Sequence, residues 1–504
     1  MLKCATPASS SAPSGPSGSV APSEPPVASA LREAVLAGPG GRLAGAVAET
    51  APLWVLVTPE EALAALAAAG HVGDRRAVLV GEVTVALLVG RCLFLHEGAA
   101  SVIRRLWPQL AAFHPRTVLD GPVTDAAFSY ARGQLAPAVV RALFEADAAR
   151  GDLPEARGAR RFGLLLTATD STVFDLRNRD GMAERFATPT GGRCPQARVV
   201  TVVAAGTRCV LAAEVDSSSV SEQELFDRLL AALKPGTLNL ADRGFFSMER
   251  WQKASATGAA LLWRVRNGHH SLPARVLRTL LDGSQLVLLR ESASMLSRRR
   301  ARLGDKKAPR LPDTIARLVE FTVTVTDQAG TSTSSRYRVL TTLLDHVAHP
   351  AEQIAACSAE RWQAELTYKA IKSTLRGAAP ELHGESAPLA EQELWGLLFV
   401  HNTLVDQAVA AAVELGVDPD TISYTAVLRA ARDHLTGHAP CTACGHLPAQ
   451  ADLTAAICAA PRNRTDRHRT SPRTPTQRRT QRSHYVTYTI EITPSDLPKT
   501  DEAA

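Results

Sequence analysis

Between residues 161 and 265 the chain alternates short apolar runs with longer amphipathic stretches. The apolar runs have the length and β-branched content of buried strands, whereas the amphipathic stretches fit helices. Strands are predicted at 163–169, 198–204, 209–215, 237–241 and 259–265, and helices at 221–233 and 248–256. This alternation predicts an α/β fold in which helices flank a central sheet.

Two regions precede this alternation. Residues 1–29 are rich in Ser, Pro, Ala and Gly and lack the apolar segment of a secretory signal, so we expect a disordered leader. Residues 30–150 predict an all-helical N-terminal domain, in which Thr124 caps one helix and Pro137 opens the next. These two helices could form a DNA-reading unit or could be ordinary helical packing.

The α/β domain is expected over 160–436, interrupted by a β-rich insertion at about 267–345. The insertion carries a basic cluster at 298–300 with Lys306 and Lys307. Further strands are predicted at 285–289, 319–326 and 337–343, and helices at 352–375, 391–415 and 421–435.

The final region, 437–504, predicts a basic and largely disordered tail. Its segment 461–482 has eight arginines, one acidic residue and almost no apolar residues, so it cannot bury a core of its own. Such a segment could keep the chain soluble, or it could bind the phosphates of a nucleic acid.

Composition narrows the class of protein. Hydrophobic residues make up 45% of the 504 residues, which is enough for buried cores, and the net charge of +6 permits a polyanionic partner. The longest apolar run, 77–96, contains Glu82 and Arg91, so it predicts a buried helix rather than a membrane span. The eight cysteines are scattered, which favours a reducing cytoplasm over a disulfide framework.

Two aspartates follow predicted strands directly. Asp170 comes after the run 163–169, and Asp242 comes after the run 237–241. In open α/β sheets, sites form outside the carboxyl ends of strands, so both could belong to one site. An aspartate after a strand is also a common turn or cap residue, and that alternative stays open for each one alone.

A third carboxylate, Glu365, lies on a predicted helix whose polar residues recur on one face. At about 100° per residue, Arg361, Glu365, Lys372 and Arg376 form one polar stripe. The simplest interpretation is a solvent-exposed face carrying an ion pair between residues four apart.

Four segments together resemble one family of enzymes. They are TDAAFSYARGQLAPAVVRALFE from Thr124, DSTVFDLRN from Asp170, LADRGFFSMERW from Leu240 and ERWQAELTYKAIKSTLRG from Glu360. In order and spacing they resemble the insertion-sequence-four family of DDE transposases, including the β-rich insertion between the second aspartate and the glutamate. The resemblance covers about residues 30–440 and implies an RNase H-like mixed sheet.

The resemblance also implies a function and a set of site residues. Asp170, Asp242 and Glu365 would hold two Mg²⁺ ions, with Mn²⁺ as a substitute, and would cut and join DNA ends by attack on phosphodiester bonds. The implied partner is double-stranded DNA, as terminal inverted repeats and target, bound by a homodimer without membrane association in the nucleoid-containing cytoplasm. Candidate DNA-binding residues are Arg361, Lys372, Arg243, Arg376 and Arg132.

One position departs from the family signature of tyrosine, arginine, glutamate and lysine around the catalytic glutamate. Arg361, Glu365 and Lys372 match it, but Ser358 stands at the tyrosine position. Two alternatives therefore stay open, a catalytically weakened DNA-binding descendant and a structure-specific nuclease of the same fold. A separate HxxCxxCxH cluster of His438, Cys441, Cys444 and His446 could bind zinc or could be a loop with free thiols.

Overall fold

A computed structural model describes most of the chain between residue 52 and residue 497. The described residues are 52–73, 77–114, 121–149, 156–267, 272–327, 330–377, 381–436, 453–463, 485–494 and 497. The predicted leader at 1–29 and the candidate zinc cluster at 438–446 lie outside the described residues.

The N-terminal part of the described chain is helical, as predicted. Thr124 accepts a hydrogen bond from the Ala127 backbone N–H at its helix start, and Pro137 lies in the first turn of the next helix. The run predicted to be a buried helix forms α2, whose residues from Val83 to Leu93 are all buried. The helices are α1 (Pro59–Ala68), α2 (Gly81–Leu93), α3 (Ala99–Leu106), α4 (Asp125–Gly133) and α5 (Pro137–Ala148), with 3-10 turns at Pro52–Val55 and Trp107–Ala112.

The sheet begins after these helices and runs through the rest of the chain. Its strands are β1 (Arg160–Arg161), β2 (Leu164–Asp175), β3 (Gln196–Ala204), β4 (Val210–Ser217), β5 (Thr237–Ala241), β6 (Ala260–Arg264), β7 (Ala274–Thr279), β8 (Gln285–Leu289), β9 (Thr314–Asp327), β10 (Ser332–Thr341) and β11 (Tyr485–Ile492). Their order is β4-β3-β2-β5-β6-β10-β9-β8-β7, with β1 on β2 and β11 on β9.

The first half of this order gives the fold its class. Strands β2, β3 and β4 form an antiparallel meander, and β5 and β6 then add in parallel on the other side of β2. A meander with its first strand at the centre and two parallel strands beyond it is the RNase H-like mixed sheet, so the predicted fold class is confirmed. The β-rich insertion continues the sheet from β6 through β10, which pairs Leu340 with Trp263.

Helices cover both faces of the sheet. Among them, α12 is long and apolar enough to cross a membrane, but 78% of its most apolar stretch is buried inside the protein. The helices are α6 (Met182–Arg185), α7 (Glu222–Leu229), α8 (Met248–Ala256), α9 (Ala293–Leu303), α10 (Ala351–Ser358), α11 (Trp362–Lys369), α12 (Ala387–Glu414), α13 (Tyr424–Thr436) and α14 (Leu453–Ala459). Shorter turns are 3-10 at Leu230–Ala232, Ala359–Arg361 and Pro419–Thr421, and π at Ala370–Leu375.

The N-terminal helices share their core with the α/β part. Leu53, Phe94 and Phe144 belong to the same buried cluster as Phe174 of β2 and Trp395 of α12. The rings of Phe144 and Trp395 lie 5.5 Å apart, centroid to centroid. The predicted boundary near residue 150 is therefore a change of secondary structure within one continuous core.

The C-terminal region differs from the predicted disordered tail in two segments. Helix α14 packs on α12 and α13, and the Asn463 backbone N–H donates to the Thr421 carbonyl at 2.7 Å. Strand β11 pairs antiparallel with β9, from Tyr485 opposite Asp327 to Ile492 opposite Phe321. Pairing with an open stretch of β9 supplies the backbone hydrogen bonds that order β11, which the local sequence does not reveal. Most of the arginine-rich segment, residues 464–484, lies outside the described residues.

Candidate active site

The register of the two central strands brings the two aspartates side by side. Strands β2 and β5 pair in parallel, with Thr169 opposite Ala241. Asp170 follows Thr169 and Asp242 follows Ala241, so the two aspartates lie at neighbouring positions on adjacent strands. The strand predicted to end at Asp170 in fact continues to Asp175, because β3 pairs with it through that point. Ser171 and Thr172 are therefore strand residues.

Helix α11 brings Glu365 to the same place. The Arg361 guanidinium lies between the carboxylates, with Nη1 3.5 Å from Asp170 Oδ2 and Nη2 2.9 Å from Glu365 Oε1. The side chains of Arg361 and Glu365 are each 17% exposed. The ion pair between Arg361 and Glu365 that the helix pattern predicted therefore exists. The polar face that carries it, however, is directed to strand β2 and not to solvent.

The charges in this cluster are strongly coupled. Burial raises the pKa of Asp170 to about 6; Glu365 and Asp242 also raise it, while Arg361 and the Ser171 N–H lower it. Burial lowers the pKa of Arg361, but the carboxylates of Asp170, Asp242 and Glu365 outweigh burial and raise it overall. Three acids share two cations, Arg361 and Arg264, which leaves a local excess of negative charge that a divalent cation would neutralise.

The carboxylates fit divalent metal ions in chemistry, although their present spacing is loose. Asp242 Oδ1 is buried without a hydrogen-bond partner, and it forms an ion pair with Arg264 Nη1 at 3.7 Å. Hard cations such as Mg²⁺ prefer carboxylate oxygens of this kind. Within the described ranges, no three His, Cys, Asp or Glu side chains stand close enough to form a preassembled metal site. Arg361 supplies the positive charge between Asp170 and Glu365.

Tyr368 is a site residue whose role the sequence did not reveal. Its hydroxyl donates to the Asp170 carbonyl at 2.7 Å and lies 2.8 Å from Thr201 Oγ1 on β3. The side chain is buried, and its hydrogen bond holds the backbone of β2 at Asp170. Its place three residues after Glu365, on the same helix face, is the only sequence signal for this contact.

A buried polar network lies beneath the two aspartates. Asn239, fully buried on β5, donates to Thr167 Oγ1 at 3.2 Å and to Thr169 Oγ1 at 3.0 Å. Its side-chain oxygen accepts a hydrogen bond from Nε1 of the fully buried Trp263 at 3.0 Å. These bonds fix the register of β5 against β2, and with it the relation of Asp170 to Asp242.

Glu222 is a fourth carboxylate at the edge of the site. It begins helix α7 and accepts a hydrogen bond from the Ser171 hydroxyl, next to Asp170. Its other oxygen, Oε1, approaches Gly244 so closely that a Cβ there would lie 2.8 Å away. Glu222 therefore joins the strand of Asp170 to the turn that follows Asp242.

The predicted DNA-binding cations have different environments. Arg243 is exposed beside Asp242, and Arg361 lies within the carboxylate cluster. Lys372 faces β2, where Nζ donates to Thr172 Oγ1 at 3.1 Å and to the Val173 carbonyl at 2.6 Å.

Two of the predicted cations are packing residues. Arg376 is only 9% exposed, because the π turn at Ala370–Leu375 shifts it off the predicted stripe. Arg132 donates to Gln392 Oε1 and to the Leu389 carbonyl, which ties α4 to α12. In this conformation the Arg376 side chain is buried and Arg132 bonds within the protein, and contact of either residue with DNA stays a prediction.

Ser358, at the family's tyrosine position, is the last residue of α10. Its hydroxyl donates to the Ala355 carbonyl at 2.7 Å. It thus makes a helix-terminal hydrogen bond, and the 3-10 turn Ala359–Arg361 separates it from the start of α11.

Two family models match the chain. The transposase DDE domain matches residues 161–403, and the insertion element 4 transposase N-terminal domain matches residues 51–145. One relative, "Transposase InsG for insertion sequence element IS4" of Escherichia coli (strain K12), is 28% identical over 378 residues, covering 73% of this chain and 78% of the relative. A solved structure, a piggyBac transposase synaptic complex with hairpin DNA, matches at 11% identity and a TM-score of 0.36, covering 77% of this chain and 79% of that chain.

Proposed function

Since the chain belongs to the insertion-sequence-four family of DDE transposases, we propose that Asp170, Asp242 and Glu365 are the carboxylates with which it cuts and joins DNA ends. The observation that carries this assignment is that Arg361 lies between Asp170 and Glu365, while the pairing of Thr169 with Ala241 sets Asp242 on the strand next to Asp170. Within that cluster, Asp242 Oδ1 is buried and lacks a hydrogen-bond donor, which suits a metal ligand.

The three carboxylates would hold two Mg²⁺ ions, with Mn²⁺ as a substitute. When bound, the ions activate the attacking oxygen and stabilise the leaving oxygen of an in-line displacement. Water attacks when the strand is cut, and the freed 3′-OH attacks when it is joined. Because both steps are displacements at a phosphodiester, one set of carboxylates serves both.

The other side chains of the site orient the reacting groups. Arg361, held between two carboxylates, is placed to bind a phosphate oxygen next to the scissile bond. Tyr368 donates to the Asp170 carbonyl, and Asn239 on β5 donates to the Thr169 hydroxyl on β2, so that Asp170 and Asp242 keep their relative positions. Lys372 adds positive charge along β2, and exposed Arg243 adds it at the rim.

The partner and setting form part of the same proposal. We propose that the substrate is double-stranded DNA, as transposon terminal inverted repeats and target, bound by a homodimer in the nucleoid-containing cytoplasm. The family membership and the net charge of +6 support DNA as the partner.

The test is metal-dependent nicking of supercoiled plasmid by wild type, Asp242→Asn and the control Asp180→Asn, which removes an exposed carboxylate. Asp242→Asn should lower the rate at least about a hundredfold, as expected for loss of a charge-stabilising group at a reaction centre. Titration calorimetry with Mn²⁺ alone should show weaker binding to Asp242→Asn than to either other protein. Equal nicking and equal Mn²⁺ binding by all three proteins would refute the assignment.

A further inference from the structure

A basic segment of the insertion lies outside the carboxylate site. Residues 298–310 contain seven Arg or Lys residues and one acidic residue, Asp305. Their net charge of +6 equals the net charge of the whole chain. The segment comprises the second half of α9 and the loop that follows it.

Ion pairs and backbone contacts account for part of this charge. Arg299 pairs with Glu291, which is 2% exposed, at 2.7 Å, and Arg302 pairs with Glu249 of α8. The other cations, apart from Arg300, are exposed and form no ion pair within the described part of the chain. These exposed cations, named the α9 basic surface, are Arg298, Lys306, Lys307 and Arg310.

The α9 basic surface rests on a firmly bonded support. Glu291 holds both Arg299 and the Leu311 backbone N–H, at 2.9 Å, so it joins the helix to the returning loop. Arg300 Nε donates to the Ala308 carbonyl at 2.8 Å, closing the same loop again. Cations on a preformed support lose less conformational freedom when they bind a ligand.

The support also connects the surface to the active-site end of the sheet. Helix α8 starts six residues after Asp242, beyond the carboxyl end of β5, and Glu249 lies in its first turn. Arg302 of α9 contacts that same Glu249. Farther along α8, Gln252 donates to the Pro312 carbonyl at 2.6 Å. The basic surface therefore adjoins the helix that leads away from the site.

We propose that the α9 basic surface binds the phosphate backbone of the DNA duplex that enters the carboxylate site. The inference rests on the proposed function, because it takes the duplex at that site as given. Arg and Lys bind phosphates with release of counterions and without reading bases. The surface therefore increases affinity for any duplex and strengthens its dependence on salt.

The experiment compares the full-length wild type with a variant carrying R298Q, K306Q, K307Q and R310Q. A control variant carries R104Q, K234Q, R275Q and R429Q, which removes the same charge from exposed positions elsewhere. Binding to a short synthetic duplex is measured by fluorescence anisotropy over a range of salt. The slope of log K against log salt is negative, and each lost phosphate contact makes it about 0.9 less steep. The magnitude of the slope should therefore decrease by about three to four in the first variant and by less than about one in the control.

The outcomes separate this inference from the proposed function. If both variants lose the same slope, only net charge matters and the α9 basic surface is refuted, whereas metal-dependent plasmid nicking by the wild type still supports the proposed function. If the wild type does not nick, the proposed function fails, although a selective loss of duplex binding still supports the surface. If the first variant loses binding to anionic lipid vesicles but not to duplex, the assignment to DNA is wrong.

Discussion

At the scale of single residues, Gly244 and Glu222 show how closely the wall of the site is packed. Glu222 is held by the Ser171 hydroxyl, and its Oε1 occupies space that a side chain on Gly244 would need. A methyl group at Gly244 requires the flexible end of the Glu222 side chain to shift, which weakens its hydrogen bond with Ser171. Hydrogen bonds to charged groups contribute about 1.5–3 kcal/mol, so this displacement has a measurable cost.

Gly244→Ala should therefore lower the free energy of unfolding by about 1–2 kcal/mol, measured by urea denaturation. In a Glu222→Ala background the obstacle is absent, and the same substitution should cost about 0.5 kcal/mol or less. The difference between the two costs is the coupling energy of the pair. Equal costs in both backgrounds would mean that the two residues do not interact.

At the scale of elements, helix α12 joins the N-terminal helices to the sheet through buried polar side chains. Gln392 donates to the carbonyls of Arg132 and Leu135, while Asn402 bonds both the N–H and the carbonyl of Val210. His401, also fully buried, has Nε2 3.0 Å from the Arg208 carbonyl and Nδ1 3.1 Å from the Tyr424 hydroxyl. One helix thus fixes the turn between β3 and β4 and the start of α13.

The buried position of His401 makes the stability of the protein sensitive to acid. Burial lowers the pKa of His401 from 6.5 to about 4 in the folded protein. The unfolded chain binds the proton first, so the stability associated with neutral His401 is complete above about pH 6.5 and is lost as the pH falls toward 4. At one pKa unit per 1.36 kcal/mol, the full loss is about 3 kcal/mol.

His401→Gln should remove this part of the pH dependence. Urea denaturation of wild type and variant between about pH 7 and about pH 5 should give a smaller loss of stability for the variant, by about 2 kcal/mol. His71→Gln, at a partly exposed histidine, serves as the control and should follow the wild type. Parallel curves for wild type and His401→Gln would contradict the prediction.

At the scale of the whole molecule, the C-terminal region is attached at two places. Helix α14 packs on α12 and α13, and β11 extends the sheet at β9, so residues 464–484 connect two fixed points. These residues include seven of the eight arginines that could bind nucleic acid phosphates or keep the chain soluble. Truncation at residue 461 would remove this charge and would also leave the β9 edge without its partner.

Replacement of residues 464–484 by an uncharged Gly-Ser linker of equal length separates the two effects. The variant should keep the melting temperature of the wild type, while its slope of log K against log salt for duplex DNA decreases. Truncation at residue 461 should lower both the melting temperature and the solubility. An unchanged salt slope in the linker variant would show that the arginine segment does not touch DNA.

The sequence alone determined the elements and the motifs of this protein. The strand Thr237–Ala241 and the helix Met248–Ala256 agree with their predictions residue for residue, because apolar periodicity and capping act over a few neighbouring positions. The order of the motifs likewise grouped the three carboxylates as one predicted set.

Tertiary structure decided which partner each side chain meets. Strand β2 continues past Asp170 because β3 pairs with it, and β11 forms because β9 offers an open edge. The 3-10 turn Ala359–Arg361 and the π turn Ala370–Leu375 break the regular 100° spacing, so Arg376 is buried where a regular helix would expose it. Such contacts join residues far apart in the chain, and their geometry depends on strand order and helix irregularity, which local periodicity does not encode.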